Sequence, residues 1–581
     1  MQRSATTSQQ APLDIVGSSA FGRWPVVNNE RTLNMFTADG FSMNFAGYKF
    51  RTALLENGRG FFASKRANLM FAVSARNIYK ITAGLQPILV GSIQTDNTDV
   101  SIDEDLSNNI AFCDGVALYI YNYVSGLYYV AGSFVSDVGK VIAQLDFTPN
   151  YVKFHDGRFI CTSAMSGGNA VGQWRLSKTK LSDAVSYVIF PSDAQHQGGF
   201  QTKPDLPVAV LRLPGREAQI IIMGSQVTET WTDLGKALFP YQRNSTFDID
   251  FGGFPATISD LGNYVVWLAF NEKSGPFIAY TTGEDIKKVS TNGIDSLFER
   301  IKNPELSYGF TFLISGHIFY VLTFYGAQDN ISLAYDLNED KFYDLTNEKG
   351  DFFIAKKVVL FNGKYYFISI VDGNIYEMNS YFTTYEYQPT PTNPGIYNIP
   401  RGRTCKTLRM KGGIGKVFND LSFILEQGID ENYTGTDNFV ASLSLDQGGA
   451  AYTVATVLIE GDGQGAYATA TITGGIITGV TLVDQGVGYS WATASIIGDG
   501  SGAFVSTSIQ ISNYIPRVDL SISLDGGYTW SSYVPMEMQK LGTYRNRFYF
   551  NGLGYGNEIT PKFLYHVNSR FVCSDGELSY Y

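Results

Sequence analysis

The stretch Asn109-Ile110-Ala111-Phe112-Cys113-Asp114-Gly115-Val116-Ala117-Leu118-Tyr119-Ile120-Tyr121 decides how the chain is read. Two short apolar runs flank Asp114-Gly115, a dipeptide that tolerates the positive φ of a tight turn, so the stretch predicts a β-hairpin. The pattern recurs on both sides. Leu69-Met70-Phe71-Ala72-Val73 turns at Ala75-Arg76-Asn77 into Ile78-Tyr79-Lys80-Ile81. Further runs of this kind begin at Gly157-Arg158-Phe159, Ile220-Ile221-Ile222, Gly262-Asn263-Tyr264, Gly316-His317-Ile318 and Gly363-Lys364-Tyr365. A lone hairpin is marginal in water, so such a series must bury its faces against neighbouring hairpins. Spacings of roughly 40 to 60 residues suit the four-stranded blades of a β-propeller. A long β-sandwich would show the same pattern. One segment departs from it: Ile294 to Ile301 places apolar side chains at 294, 297, 298 and 301, the period of a helix.

At 581 residues the chain predicts two to four domains. Hydrophobic residues at 44% and charged residues at 17% mark a globular rather than a disordered chain. Aromatics favour half-buried pleated surfaces and glycines favour turns, so 37 Tyr, 40 Phe and 60 Gly point to an all-β protein. The 43 basic and 54 acidic residues leave a net charge of −11, which argues against nucleic-acid binding through a broad basic face. It leaves room for a protein past which DNA merely slides. Cys113, Cys161, Cys405 and Cys573 lie far apart, and His155, His196, His317 and His566 do not cluster with them. Buried free thiols are therefore expected rather than metal ligands. The polar N-terminal stretch lacks the apolar centre of a signal peptide, and no apolar run is long enough for a membrane-spanning helix.

Pro389, Pro391, Pro394 and Pro400 read the segment 383–403 as a linker that ends the hairpin series. Residues 1–45 then form an N-terminal arm with a first strand, and 46–382 form the propeller. A C-terminal β-sandwich-like domain is expected from 404–425 and 511–581, carrying an inserted small β repeat module over 426–510. Within the insert, Tyr452-Thr453-Val454-Ala455-Thr456-Val457-Leu458-Ile459 and Gly461-Asp462-Gly463-Gln464-Gly465-Ala466 are followed by a second copy. That copy is Tyr489-Ser490-Trp491-Ala492-Thr493-Ala494-Ser495-Ile496 and Gly498-Asp499-Gly500-Ser501-Gly502-Ala503, at an offset of 37 residues.

Ser523-Leu524-Asp525-Gly526-Gly527-Tyr528-Thr529-Trp530 matches the Asp-box S-x-D-x-G-x-T-W. In that turn the Asp caps backbone N–H groups, Gly takes a positive φ and Trp packs beneath. Sialidase propellers carry such boxes, so a carbohydrate-binding or glycan-cleaving (sialidase-like) β-propeller is the alternative function. A single box is a folding device, however, and a sialidase site also needs an arginine cluster and a Tyr/Glu nucleophile pair, which no motif marks. The Gly461-Asp462-Gly463 loop and its copy lack the following helix and Lys of a phosphate loop, and the oxygen ligands of a calcium loop; tight turns are expected. Asp103/Asp105, Asp248/Asp250 and Asp430/Glu431 are chance pairs among 54 acids, and His155 beside Asp156-Gly157 is a turn residue. No catalytic, cofactor-binding or metal residue is assigned.

Several of these motifs together resemble one family. Asn28-Asn29-Glu30-Arg31-Thr32-Leu33-Asn34-Met35-Phe36 is similar to an opening E-R-x-x-N signature, marked by Glu30, Arg31 and Asn34. Gly224-Ser225-Gln226-Val227-Thr228-Glu229-Thr230-Trp231 is similar to a G-S-x-x-x-E-x-W hairpin, marked by Gly224, Glu229 and Trp231. Phe251-Gly252-Gly253-Phe254-Pro255 and the helical segment follow in order. The Asp-box, marked by Ser523, Asp525, Gly527 and Trp530, precedes Leu541-Gly542-Thr543-Tyr544-Arg545-Asn546-Arg547, whose markers are Tyr544 and Arg547. In this order the chain resembles the tail-hub, or nozzle, proteins of short-tailed bacteriophages, also called head-completion or packaged-DNA stabilisation proteins. The basic residues of the family's closing pattern are replaced here by Tyr555, Gly556 and Asn557, and the repeat-bearing insert is extra.

The resemblance implies a six-bladed propeller in a virion subunit without enzymatic activity. Six copies would form a ring in the tail, below the portal adaptor, that retains packaged DNA and forms the ejection channel. Its implied partners are further copies of itself, the portal adaptor, a tail needle or plug, tail fibres or spikes, and double-stranded DNA in passage.

Overall fold

The computed structural model describes residues 8–22, 29–131, 145–166, 169–179, 188–213, 215–236, 239–261, 264–282, 286–326, 329–390, 393–410, 415–427, 439–461, 464–487, 489, 491–510, 517–538, 545–567 and 569–581. Among these, the chain from 47 to 379 forms seven sheets in sequence order, as blades of a β-propeller. They span 58–92, 101–130, 148–199, 207–249, 252–288, 308–345 and 355–379. Each of the first six takes its strands from one continuous stretch, and the seventh is completed by Gly47–Thr52, whose Tyr48 lies opposite Met378. First strands lie side by side around the axis: Gly58–Ser64 meets Ser101–Glu104, which meets Thr148–His155, which meets Pro207–Arg212. Gly252–Gly253 lies against blade four, Ser259–Leu261 against Tyr308–Ile314, and that strand against Ala355–Phe361, which returns to Gly58–Ser64.

The blade count corrects the six implied by the resemblance. The hairpins read from the sequence are themselves seven, and every one falls on the second and third strands of a blade. Those two strands are covered on both faces by neighbouring blades, so Asn109–Cys113 is buried at every residue. The outermost strand Pro87–Ser92 is mostly exposed and carries no comparable apolar signal. The helix spans Asn292–Phe298, earlier than the expected 294–301, because the Thr291 side chain caps the Ile294 N–H and sets the start. Ile294 and Phe298 bury its inner face against blades five and six.

The segment read as a linker is instead part of the sheets. Thr384–Thr390 pairs in parallel with the closing strand, Tyr385 opposite Tyr48, and turns back as Asn393–Asn398. The two rings stack at 4.3 Å. Arg401–Thr404 then enters the C-terminal domain. Pro389 and Pro394 lie within these two strands and Pro400 directly before Arg401–Thr404.

That domain is a β-sandwich. One sheet contains Met35–Ala38, Phe41–Asn44, Phe571–Tyr580, Lys416–Gln427 and Asn546–Gly556, with Gln9–Leu13 added to Phe571–Tyr580. The other contains Arg401–Thr404, Glu558–His566, Arg517–Ser523 and Val534–Glu537, with Leu408–Arg409 paired to Glu558–His566. Phe423 stacks on Phe548 within its sheet and meets Phe563 of the facing sheet edge-on, both at 5.3 Å. The second sheet does not stop at the domain edge. Arg31–Leu33 pairs antiparallel with Arg401–Thr404 and parallel with the last strand of blade six, Leu33 opposite Asp344, so one hydrogen-bonded sheet runs from propeller into sandwich.

The joint is held by Arg403, which is fully buried. Its guanidinium donates to the Ile15 carbonyl at 2.8 Å, the Ser18 carbonyl at 2.9 Å and Thr32 Oγ1 at 3.0 Å, and pairs with the Glu30 carboxylate. Removing one partner of a buried ion pair costs about 3–5 kcal/mol, because the other is left uncompensated. Arg403→Ala is therefore expected to destabilise the docked arm by that order. Hydrogen exchange would register it as faster exchange at the Thr32 and Leu33 amides, with the blade-two amides unchanged; uniform protection would contradict the assignment.

Candidate functional site

The described marker residues sit at turns and joints, and each is engaged by the protein itself. Arg31 donates to the Ala20 and Glu30 carbonyls at 2.6 and 2.8 Å and lies over the Phe21 ring at 4.1 Å. Asn34 is buried at φ 51°, a left-handed position that Asn tolerates better than most residues. Its amide donates to Thr346 Oγ1 and the Pro400 carbonyl at 2.9 and 2.7 Å, and its side-chain oxygen accepts from the Thr346 N–H at 2.9 Å. Glu30, Arg31 and Asn34 thus staple the arm to blade six and to the sandwich.

Glu229 is buried, and one of its oxygens accepts from the Gln201 N–H, the Thr202 N–H and Thr202 Oγ1 at 2.8, 2.8 and 2.7 Å. A Cβ on Gly224 would stand 2.1 Å from Asp205 Oδ2, and that same oxygen accepts from the Gln226 and Val227 N–H groups. Trp231 meets Trp174 edge-on at 5.3 Å, packing blade three against blade four. The hairpin motif is an inter-blade lock.

In the Asp-box, Asp525 accepts from the Tyr528 and Thr529 N–H groups at 3.0 and 2.9 Å and from Thr529 Oγ1 at 2.6 Å. Gly526 and Gly527 take φ values of 73° and 100°. Trp530 folds over the turn rather than deep beneath it, donating to the Gly527 carbonyl at 3.1 Å under the Lys562 ammonium. Arg547 is exposed and lies over Tyr549; Tyr544 falls outside the described residues.

Sequence reasoning missed the charges of the propeller axis. Asp103 of blade two receives Arg212 of blade four at 2.5 Å, Lys153 of blade three at 3.8 Å and the Phe154 N–H at 2.7 Å. Lys356 of blade seven pairs with Asp99 at 2.5 Å. Lys357 donates to the Ala256 and Gly309 carbonyls of blades five and six at 2.6 and 3.1 Å, and burial pushes its ammonium down to about 8. The signal lay in the lone charges of first strands, such as Lys356-Lys357 ahead of Val358-Val359-Leu360-Phe361.

A cleft of about 730 Å³ between blades three and four is lined by His155, Asp156, Arg212, Glu217 and Asp233. Burial, and the neighbouring Asp156, push the Asp233 carboxyl up. Both ring nitrogens of His155 are taken, Nδ1 by Tyr241 Oη at 2.8 Å and Nε2 by the Glu217 carbonyl at 2.6 Å, and Arg212 is turned to Asp103. No arginine cluster forms around this cleft among its described lining. All four cysteines are buried, and burial pushes the Cys113, Cys405 and Cys573 thiols up to about 12. Among the described residues no group of three His, Cys, Asp or Glu is gathered as a metal site.

Fold and side chains together define a β-propeller protein with an appended β-sandwich, in which the conspicuous motifs serve architecture. In sequence, residues 23–311 match the family model described as "Phage_stabilise: Bacteriophage P22 Gp10, beta-propeller", and over this segment the chain is similar to that bacteriophage family. The match ends within blade six. No curated protein matches the chain in sequence. In structure it is similar to a streptogramin B lyase (13% identity, TM-score 0.36, covering 58% of this chain and 97% of that one). It is similar also to a catalytically inactive virginiamycin B lyase from Staphylococcus aureus (12%, 0.38, 57% and 98%) and to the N-terminal domain of Nup159 (9%, 0.35, 59% and 96%). Likenesses of this order carry nothing about function.

Two outcomes follow from the locks. Trp231→Ala should cost about 3–5 kcal/mol, the range for truncating a buried aromatic, seen as a lowered unfolding midpoint in denaturant. The hydrogen bonds from Ser523, Thr529 and the backbone hold Asp525 well below the usual carboxylate range. Its stabilisation is then present above the unfolded aspartate pKa of about 4 and is lost as pH falls through the lower folded value. A carboxyl NMR titration should find Asp525 still ionised when ordinary aspartates have protonated; an ordinary midpoint would refute the cap.

Proposed function

We propose that the chain is a tail-hub, or nozzle, subunit, of which six form a ring beneath the portal adaptor. The ring retains packaged DNA, prolongs its exit channel in the virion tail, and is closed by a needle or plug until ejection; fibres or spikes attach around it. Assembly would take place in the host cytoplasm. The observation that carries this reading is the match of residues 23–311 to the phage stabilisation family. The engagement of every described motif in turns and joints supports a structural, non-enzymatic role.

The charge supports it as well. A wall with net negative charge repels phosphate and lets a duplex pass without sticking, whereas a basic wall would bind it. The chain carries −11, and acidic residues are proposed to dominate the surface that the assembled ring turns to the DNA. The insert is placed at the periphery or distal end, so deletion of 439–510 should leave assembly intact.

Electron microscopy of the purified chain tests the reading directly: a six-fold ring with a central channel is expected, and a compact monomer with glycan-cleaving activity would overturn it. A ring whose lumen is mainly Lys and Arg would sink the charge argument alone.

A further inference from the structure

The insert is built as two equivalent halves. Shifted by 37 residues, Phe439–Ala450 coincides with Ile476–Val487, Ala455–Gly461 with Ala492–Gly498, and Gln464–Thr473 with Ser501–Gln510. Phe439–Ala450 pairs with Ser501–Gln510 in the way that Ile476–Val487 pairs with Gln464–Thr473, while Ala455–Gly461 pairs with Ala492–Gly498. The Tyr452 and Tyr489 rings lie inside on equivalent glycines: a Cβ on Gly498 would stand 3.1 Å from Tyr452, and one on Gly461 2.8 Å from Tyr489. Asp499 accepts from the Thr453 and Val454 N–H groups at 2.8 and 3.0 Å, which accounts for the Gly-Asp-Gly turn without a phosphate or a metal ion.

The same symmetry places a large aromatic at one equivalent outer position of each half, and Trp491 of the second half is a further exposed aromatic. Tyr467 is 53% and Phe504 65% exposed, and 37 residues separate them. Tyr467 stands across the strand pair from Asp484, and Phe504 from Gln447, which are equivalent positions too. Each aromatic heads a ladder of exposed hydroxyls on its own strand, Thr469 and Thr471 in one half, Ser506 and Ser508 in the other. Not one Lys, Arg or His occurs between Lys416 and Arg517. Burying two aromatics would be the ordinary choice for a module with so small a core, yet both halves keep theirs in water.

We propose that the two outer faces are a pair of equivalent binding sites for a neutral polysaccharide. The negative face of an aromatic ring attracts the C–H hydrogens on one side of a sugar ring, while Asp, Gln and Ser/Thr groups beside it exchange hydrogen bonds with the sugar hydroxyls. The absence of cations disfavours phosphate-bearing ligands, DNA and anionic lipid alike, because those need Lys or Arg for affinity. Protein-binding surfaces are enriched in Arg, which the module lacks, and beside Tyr467 and Phe504 the exposed hydroxyls are interspersed with exposed apolar side chains such as Val483 and Ile497. Two weak sites on one rigid module gain from a repeating ligand that spans both. A virion protein would use them to dwell on a cell-surface glycan. The inference is independent of the tail-hub reading.

Affinity electrophoresis of the full chain through gels containing dextran, yeast mannan or arabinogalactan tests it, with flotation on phosphatidylglycerol vesicles alongside. Retardation by at least one polysaccharide is expected. The Tyr467→Ala/Phe504→Ala double variant should lose about tenfold in apparent affinity and each single variant less, since loss of either site removes the bivalent gain. Unchanged circular dichroism and unfolding midpoint would separate this loss from misfolding. No retardation by any of the three, equal retardation of wild type and double variant, or binding to vesicles alone would overturn the proposal. A six-fold ring seen together with any of those results would leave the tail-hub reading standing.

Discussion

The burial of Arg403 constrains the molecule more than any other single feature. A guanidinium taken out of water must find acceptors for its N–H groups, and all of those found here belong to the N-terminal arm: the backbone of Asp14, Ile15 and Ser18, the Thr32 hydroxyl and the Glu30 carboxylate. The arm cannot withdraw without stranding the charge. That same arm carries Arg31–Leu33 into the gap between blade six and the sandwich, and Gly47–Thr52 into blade seven. Ring closure and domain docking therefore hang on one segment, secured at one residue. The Glu30-Arg31 pair that opens the chain's signature is read best as the other half of this lock.

Closure by a strand from far upstream is used twice. In the propeller the closing strand precedes blade one and completes blade seven; in the insert Phe439–Ala450, the first strand of the first half, pairs with Ser501–Gln510, the last strand of the second. The propeller ring sealed in this way has no free edge at the seam, and it places long-range pairs, Gly47 with Asn379 among them, where local fraying would otherwise begin.

What the sequence revealed follows from burial. Second and third strands of a blade are covered on both faces, so Leu69–Ser74, Asn109–Cys113 and His317–Phe324 read as apolar runs with a turn behind them. First strands face the axis and fourth strands face water, so their mixed residues gave no period to detect. The C-terminal sandwich was legible as β, but not that its sheets borrow Gln9–Leu13, Met35–Ala38 and Phe41–Asn44, because pairing across 500 residues leaves no local trace. The prolines of 383–403 misled for the opposite reason: a breaker signal is the same whether the chain leaves a sheet or turns at its edge. The hairpins themselves numbered seven; the count of six came from resemblance, which carried fold class correctly and blade number wrongly.

The axis bears on any path for DNA. Lys357 spans from blade seven to the backbone of blades five and six, and Asp103 gathers Lys153 and Arg212 from two further blades. Opening that centre to a duplex would break several ion pairs at once and separate blades whose apolar faces are in contact. The propeller is thus a solid wall element rather than a pore. In the proposed ring the channel must run between subunits, along a surface made of strand edges and loops, and its charge is set by residues at the blade rims rather than by those on the axis. A rim surface can change sign by substitution without touching any blade core, whereas the axial pairs are coupled to packing on every side. Selection on the passage of DNA would act on the rims, and the axis would be held by stability alone.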